Sequence, residues 1–223
     1  MARSAGYEIV RTPSLRGFLQ SRHVDTVIDV GANIGQFASN LRRSGYDGQI
    51  ISFEPIGSVF DQLSKRFAND KLWRGFQLAL GNKACSDVIN VSKNPVYSSL
   101  KAQTNLAHGF DPNARYVRSE TIKIARLDDI FSTLGGNVVF LKVDTQGFER
   151  QVLEGSENSL QSIVGIQLEL PIEHLYENTW EFHESIEFMK SLGFTLSQIR
   201  PINVLQHDPM SIMEVDCIFS RDK

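Results

Sequence analysis

Val27 to Phe37 reads VIDVGANIGQF: strand formers run into an acid, then a loop of small residues, then a helix start. This order confines the chain to folds in which a parallel strand delivers its carboxyl end to a tight turn and a helix leaves from it. Small side chains let the backbone pass close to a ligand, and the helix start offers free N–H groups. A ligand belongs at that turn.

The rest of the chain supplies the partners such a strand needs. Asp25 to Val30 and Gln49 to Phe53 predict strands, with helices over Gln36 to Arg43 and Ile56 to Phe67, where Val59, Phe60, Leu63 and Phe67 share one face. Further strands are expected over Phe76 to Leu80, Val138 to Val143 and Ile163 to Leu170, with a helical segment from Phe148 to Leu160. Alternation of this kind implies a parallel sheet. A late helix, Glu181 to Leu192, precedes strands at Phe194 to Ile199 and Ile212 to Phe219, separated by a turn region from Pro201 to Pro209. With no helix between them, those two strands should pair as a hairpin. Asp87 to Ser92 and Glu120 to Ala125 predict an inserted strand pair around a polar stretch, Lys93 to Ser119, that is either a lid or disordered.

No repeat or linker divides the 223 residues, so one domain is expected over 1–223, with 1–24 as an N-terminal helical appendage and 93–119 as an acceptor-side loop. A formal charge of -3 gives no field for a nucleic-acid duplex. The two cysteines, Cys85 and Cys217, form neither a disulfide framework nor a zinc motif, which makes a reducing cytoplasm the default. No stretch reaches the roughly 18 apolar residues of a membrane helix, and no apolar signal core follows Met1.

Three strand ends carry the ligand argument. The spacing D-x-G-x-N-x-G of Asp29, Gly31, Asn33 and Gly35 departs from the dinucleotide pattern G-x-G-x-x-G, since Asn33 replaces the second glycine and no third follows. Asp29 also sets an anion beside the loop, which suits a ligand with a positive amine better than a pyrophosphate. S-adenosylmethionine has such an amine. In ISFEP, Glu54 ends a strand about 20 residues from the loop, the spacing at which an acid reaches a ribose diol. In LALGN, Gly81 and Asn82 end another strand, where an adenine edge would lie.

These residues, with FLKVDTQGFERQVLEG at Phe140 to Gly155, LEL at Leu168 to Leu170 and EVDCIF at Glu214 to Phe219, resemble the FkbM-type family of S-adenosylmethionine-dependent methyltransferases over about Val27 to Phe219. The resemblance implies a three-layer α/β Rossmann-like class I methyltransferase fold, whose mainly parallel seven-stranded sheet has an antiparallel last strand. It implies O-methylation of a hydroxyl on a sugar, glycolipid or secondary metabolite. It places Asp29, Gly31, Asn33 and Gly35 around the methionine part, Glu54 on the ribose, and Gly81 with Asn82 near the adenine. Where a more usual member has KxDxEG, this chain has Lys142, Asp144, Gln146 and Gly147.

Methyl transfer to an alcohol requires alignment of donor and acceptor and removal of a proton. Lys142 and Asp144 are two apart on a strand and face the same side, so they form either a buried ion pair or a functional acid with its counter-charge. Glu169 and His174 near the next strand end are alternative bases. Asp144 and Glu169 together are too few to name a divalent-metal site, and metal dependence is not favoured. Tyr97, Ser98, Ser99, His108 and Tyr116 are candidate contacts to a hydroxylated carbohydrate or natural-product acceptor. An NAD-dependent oxidoreductase using the same loop and Glu54, and a non-catalytic cofactor-binding module, are the alternatives.

Overall fold

The computed structural model describes residues 3–4, 7–8, 13–205 and 208–221. A two-residue pair, Arg3–Ser4 with Tyr7–Glu8, precedes the main elements. The strands that follow are β1 (Thr26–Val30), β2 (Gln49–Phe53), β3 (Trp73–Phe76), β4 (Ala79–Leu80) and β5 (Cys85–Ser92), then β6 (Tyr116–Ala125), β7 (Val139–Val143), β8 (Ile163–Pro171), β9 (Thr195–Leu205) and β10 (Asp208–Ser220). The helices are α1 (Leu15–Ser21), α2 (Gln36–Arg43), α3 (Gly57–Arg66), α4 (Asn105–Phe110), α5 (Leu127–Leu134), α6 (Glu149–Glu154) and α7 (Phe182–Ser191).

Seven strands form one sheet in the order β9-β10-β8-β7-β1-β2-β3. The pairs β8–β7, β7–β1, β1–β2 and β2–β3 are parallel, while β10 runs antiparallel to both of its neighbours. The reason is the connection: β9 and β10 are joined directly, and a direct connection permits only an antiparallel pair. The expected architecture of a mainly parallel sheet with an antiparallel last strand is therefore present. Among the described residues no helix is long and apolar enough to cross a membrane.

Period two sorts the central strands between two cores. Ile28, Val30, Leu141, Val143, Ile166 and Leu168 turn to one side, in a cluster with Leu127 of α5, Val152 and Leu153 of α6 and Met189 of α7. Val27, Ile50 and Phe140 turn to the other, against Leu19 of α1, Ala38 and Leu41 of α2 and Leu63 of α3. Each fully buried Leu or Ile contributes about 1.5–3 kcal/mol. Within the predicted appendage, Ser14 caps α1 by accepting from the Gly17 N–H at 3.1 Å, and Phe18 meets Phe140 edge-on at 5.7 Å.

Three expectations are corrected and a fourth is narrowed. Phe76 to Leu80 is not one strand: a bond from Leu78 N to Phe76 O turns the chain, and β4 joins a second sheet of order β4-β6-β5. The helix expected to reach Leu160 stops at Gly155, where a Cβ would lie 1.9 Å from the carbonyl oxygen of Gly81, and only a 3-10 turn, Ser159–Ser162, follows. The Pro201 to Pro209 region is mostly strand, because β9 is the sheet's edge and an edge tolerates Pro201 without losing a ladder bond. Of the two readings of Lys93 to Ser119, a lid or a disordered stretch, disorder is set aside: it holds 3-10 turns at Pro95–Tyr97 and Pro112–Ala114, α4 between them, and the start of β6.

Candidate active site

The loop after β1 is tight because three of its residues adopt left-handed backbone: Gly31 at φ 74°, Asn33 at 49° and Gly35 at 87°. At Gly31 a Cβ would lie 1.8 Å from the carbonyl oxygen of Asp144, so the loop packs on the end of β7 with no room for a side chain. Glu54, at the end of β2, fixes the loop from the other side. Its Oε2 accepts from Asn33 N at 3.0 Å and its Oε1 from Ile56 N at 2.9 Å. Burial pushes its carboxyl up to about 7, against the opposing pull of the Ile56 and Asn33 N–H groups.

Lys142 is the charge centre. Its Nζ stands 3.2 Å from Asp144 Oδ2, 3.3 Å from Asp29 Oδ1 and 3.3 Å from the carbonyl oxygen of Gly31. Parallel register sets Asp29 and Lys142 side by side on adjacent strands, which accounts for the pair. Burial opposes the lysine charge, but Asp144 and Asp29 outweigh it, and its pKa lies above the ordinary lysine value. Asp29 is 0% exposed, and burial raises its pKa despite Lys142.

Beyond β7 the chain turns through Gln146 at φ 54° and Gly147 at φ 95°. Glu149 holds this turn, its Oε1 accepting from Thr145 N, Thr145 Oγ1 and Gly147 N at 2.8, 3.0 and 3.1 Å. The turn aims the Gln146 amide between two acids. Its Nε2 donates to Asp144 Oδ1 and to Glu169 Oε1, each at 2.9 Å, while its Oε1 accepts from the Tyr176 hydroxyl at 2.8 Å. Burial, then Asp144 and Glu214 nearby, raise the Glu169 pKa well above the usual carboxylate range.

One cavity of about 760 Å³ joins these groups, within the size range of small-molecule sites. Gly31, Asn33, Glu54, Lys142, Asp144 and Glu169, all singled out from the sequence, line it. Of the others, Asp29, Gly35, Gly81, Asn82 and His174 do not. Asp29 lies beneath Lys142 with its charge met there, and Gly35 packs its α-carbon against Phe67 and Leu63. Gly81 backs onto Gly155, and Asn82 turns outward to donate to Glu154 Oε2 at 2.9 Å, leaving Leu78, Ala79 and Leu80 as the lining at that end. His174 is held in the loop before α7, with Nδ1 2.7 Å from Thr179 Oγ1 and Nε2 3.2 Å from Glu181. In the 93–119 stretch, Ser98 lines the cavity but Tyr97, Ser99, His108 and Tyr116 do not; Ser99 instead donates to the Gln146 carbonyl at 2.6 Å.

Sequence reasoning missed Phe37, Gln167 and the Arg200–Asp216 pair, all of which reach the cavity. Alternation along VGIQLEL puts Gln167 and Glu169 on one face, and that signal was available. Among the described residues no three His, Cys, Asp or Glu side chains are grouped to hold a metal ion.

The model of the methyltransferase FkbM domain family matches residues 29–196, more than half of the chain. Among curated proteins, "Methyltransferase 1" of Beauveria bassiana (strain ARSEF 2860) is 26% identical over 188 residues, covering 78% of this chain and 74% of its own. "Methyltransferase sdnD" of Sordaria araneosa is 24% identical over 203 residues, covering 78% and 75%. Among solved structures, a putative S-adenosylmethionine-dependent methyltransferase from Listeria monocytogenes superposes with a TM-score of 0.51 at 9% identity, over 92% of this chain and 97% of that one. The fibrillarin/Nop5p complex matches at 0.51 and 11%, over 90% and 74%. At these identities the two structures attest the fold alone.

Proposed function

Because the chain belongs to the FkbM methyltransferase family, we propose that it transfers a methyl group from S-adenosylmethionine to a hydroxyl of a small acceptor, a sugar, glycolipid or secondary metabolite. Family membership sets aside the oxidoreductase alternative. The observation that carries the reading is the two-ended cavity: Glu54 at one end, and Asp144 and Glu169 bridged by Gln146 at the other.

The residues present fit the cofactor. Glu54 is 5% exposed and lines the cavity, and each of its oxygens keeps a lone pair beyond the bond it already accepts, enough for two ribose hydroxyls. Ile56, Leu78, Ala79 and Leu80 give an apolar wall for an adenine. Gly31 and Asn33 bring loop backbone and an amide to the methionine part. When bound, S-adenosylmethionine supplies an electrophilic methyl on a sulfonium.

The protein's own task is to present the acceptor oxygen in line and take its proton. Asp144 is the proposed base or orienting acceptor, with Lys142 as its counter-charge and Gln146 holding its second oxygen. Glu169 is pushed toward its neutral form by burial and by the acids beside it. Calorimetric titration with S-adenosylhomocysteine should give micromolar binding, and NAD none. Turnover is then measured over a panel of glycosides and phenols. Tight S-adenosylhomocysteine binding without turnover on any hydroxylated acceptor would overturn the catalytic reading in favour of a non-catalytic module.

A further inference from the structure

The sheet face beneath α1 and α2 changes character along its length. Toward the amino ends of the strands it is apolar, with Phe18 and Leu19 of α1 packed in one cluster with Phe140 and Val27. Toward the carboxyl edge the positions on that face are Lys142, Gln167, Glu169, Asp216 and Arg200. Register puts Gln167 between Lys142 and Ile218, and Asp216 between Glu169 and Arg200. A buried polar sheet face is costly unless something hydrogen-bonds it. Here the row forms a wall of the cavity.

Most of this wall is already partnered. Asp216 pairs with Arg200 at 2.5 Å, Glu169 with Gln146 at 2.9 Å, and Gln198 donates to the Pro13 carbonyl at 3.2 Å. Gln167 differs. It is 6% exposed and lines the cavity, yet its side-chain amide makes no hydrogen bond among the described residues. The amide opens onto the cavity with no partner there among the described residues, so a ligand hydroxyl can take up its donors and acceptor.

We propose that Gln167 is the specificity-determining residue of an acceptor subsite for a polyhydroxylated molecule, formed on β8, β10 and β9 and reached past Pro13 to Arg16. The inference rests on the methyl-transfer reading above. An amide offers two donors and an acceptor, the match for a hydroxyl that both accepts and donates. Around it stand charges of both signs, Lys142 and Arg200 against Asp144, Glu169 and Asp216, so the wall offers donors and acceptors side by side, as successive hydroxyls require. Phe37 also lines the cavity, its ring centroid 5.5 Å from Lys142 Nζ, and offers an aromatic face to the C–H side of a ring.

The test titrates methyl glycosides and inositols into the S-adenosylhomocysteine complex of the wild type and of Gln167→Leu, with turnover on the same compounds and on simple phenols. Expected is a loss of about tenfold or more in glycoside or inositol affinity for Gln167→Leu, with S-adenosylhomocysteine affinity and phenol turnover held within about twofold. A deoxy-glycoside series on the wild type should lose a similar factor at one position, and it stands in if the variant fails to fold. Equal affinity in both proteins, or in every deoxy compound, overturns the subsite, as does wild type that binds no polyol. Polyol binding that depends on Gln167 without any methyl transfer upholds the subsite and sinks the methyltransferase reading; phenol methylation without polyol binding does the reverse.

Discussion

The ammonium of Lys142 stands 3.2 Å from the carboxylate of Asp144, at the carboxyl edge of the sheet and inside the cavity wall. Asp144→Asn keeps the shape and removes the charge, so turnover should fall by about 10² to 10⁴ while S-adenosylhomocysteine affinity changes by less than about tenfold. Single-turnover kinetics beside a titration separates the two. Retained turnover would move the proton-accepting role to Glu169. The wild-type rate should survive EDTA; loss restored by Mg²⁺ would make Asp144 a metal ligand.

Lys142→Met tests the same cation as a structural element. The substitution leaves Asp29, which is 0% exposed, without its counter-charge. Breaking a buried pair from one side costs about 3–5 kcal/mol. Urea denaturation should show that loss, and a midpoint close to wild type would mean Asp29 is satisfied by something other than Lys142.

Glu54 links pH to both stability and binding. Its folded pKa of about 7 lies above the ordinary 4.5, so the folded chain holds this proton more tightly than the unfolded one. Its contribution to stability is full below about 4.5 and is lost as pH rises to about 7. Thermal melts of Glu54→Gln should therefore flatten across that window relative to wild type. Cofactor binding runs the other way, since the ionised acid is the stronger acceptor: S-adenosylhomocysteine should bind more tightly as pH rises through about 7, and Glu54→Gln should bind it roughly tenfold more weakly. A pH-independent affinity in the wild type would remove Glu54 from the ribose.

Gln146→Glu would set a third carboxyl against Asp144 and Glu169, where the amide now donates to both. The new acid can donate only while protonated, and then through one O–H to one of the two partners, so its pKa is raised and the variant loses stability as pH rises. The expected penalty is about 1–3 kcal/mol larger at alkaline than at mildly acid pH, read from melts at the two values. Parallel pH profiles of variant and wild type would show that the amide protons are not what hold the two acids.

Gly31→Ala should fail at the loop itself. The added carbon has no space against the Asp144 carbonyl, and φ 74° strains any L side chain. A loss above about 2 kcal/mol, or collapse of cofactor binding in a chain that still folds, is expected. An unchanged melting temperature would mean that the loop does not lie against β7.

The parts of the site legible in the sequence are those fixed by short-range rules. Gly31 and Asn33 announce a left-handed turn, and Lys142 and Asp144 share a face because strand geometry alternates. Glu54 was placed by its spacing from the loop. The direction of Asn82 is not readable locally, because it depends on Gly155, some seventy residues on, closing against Gly81. Gln167 shares a face with Glu169 by strand alternation, but nothing local says that α1 stops short of covering that row. The division of Phe76 to Leu80 between two sheets has the same origin: both halves are apolar, and only the partner β6 decides where the second belongs.

Both oxygens of Glu54 already hold the backbone of the loops that flank it, one at Asn33 and one at Ile56. The conformational entropy of ordering those loops is thereby lost during folding and not again at each encounter with a ligand. Binding then asks little rearrangement of this end of the cavity. Association there should be limited by diffusion and desolvation, with little hysteresis between the empty and filled forms.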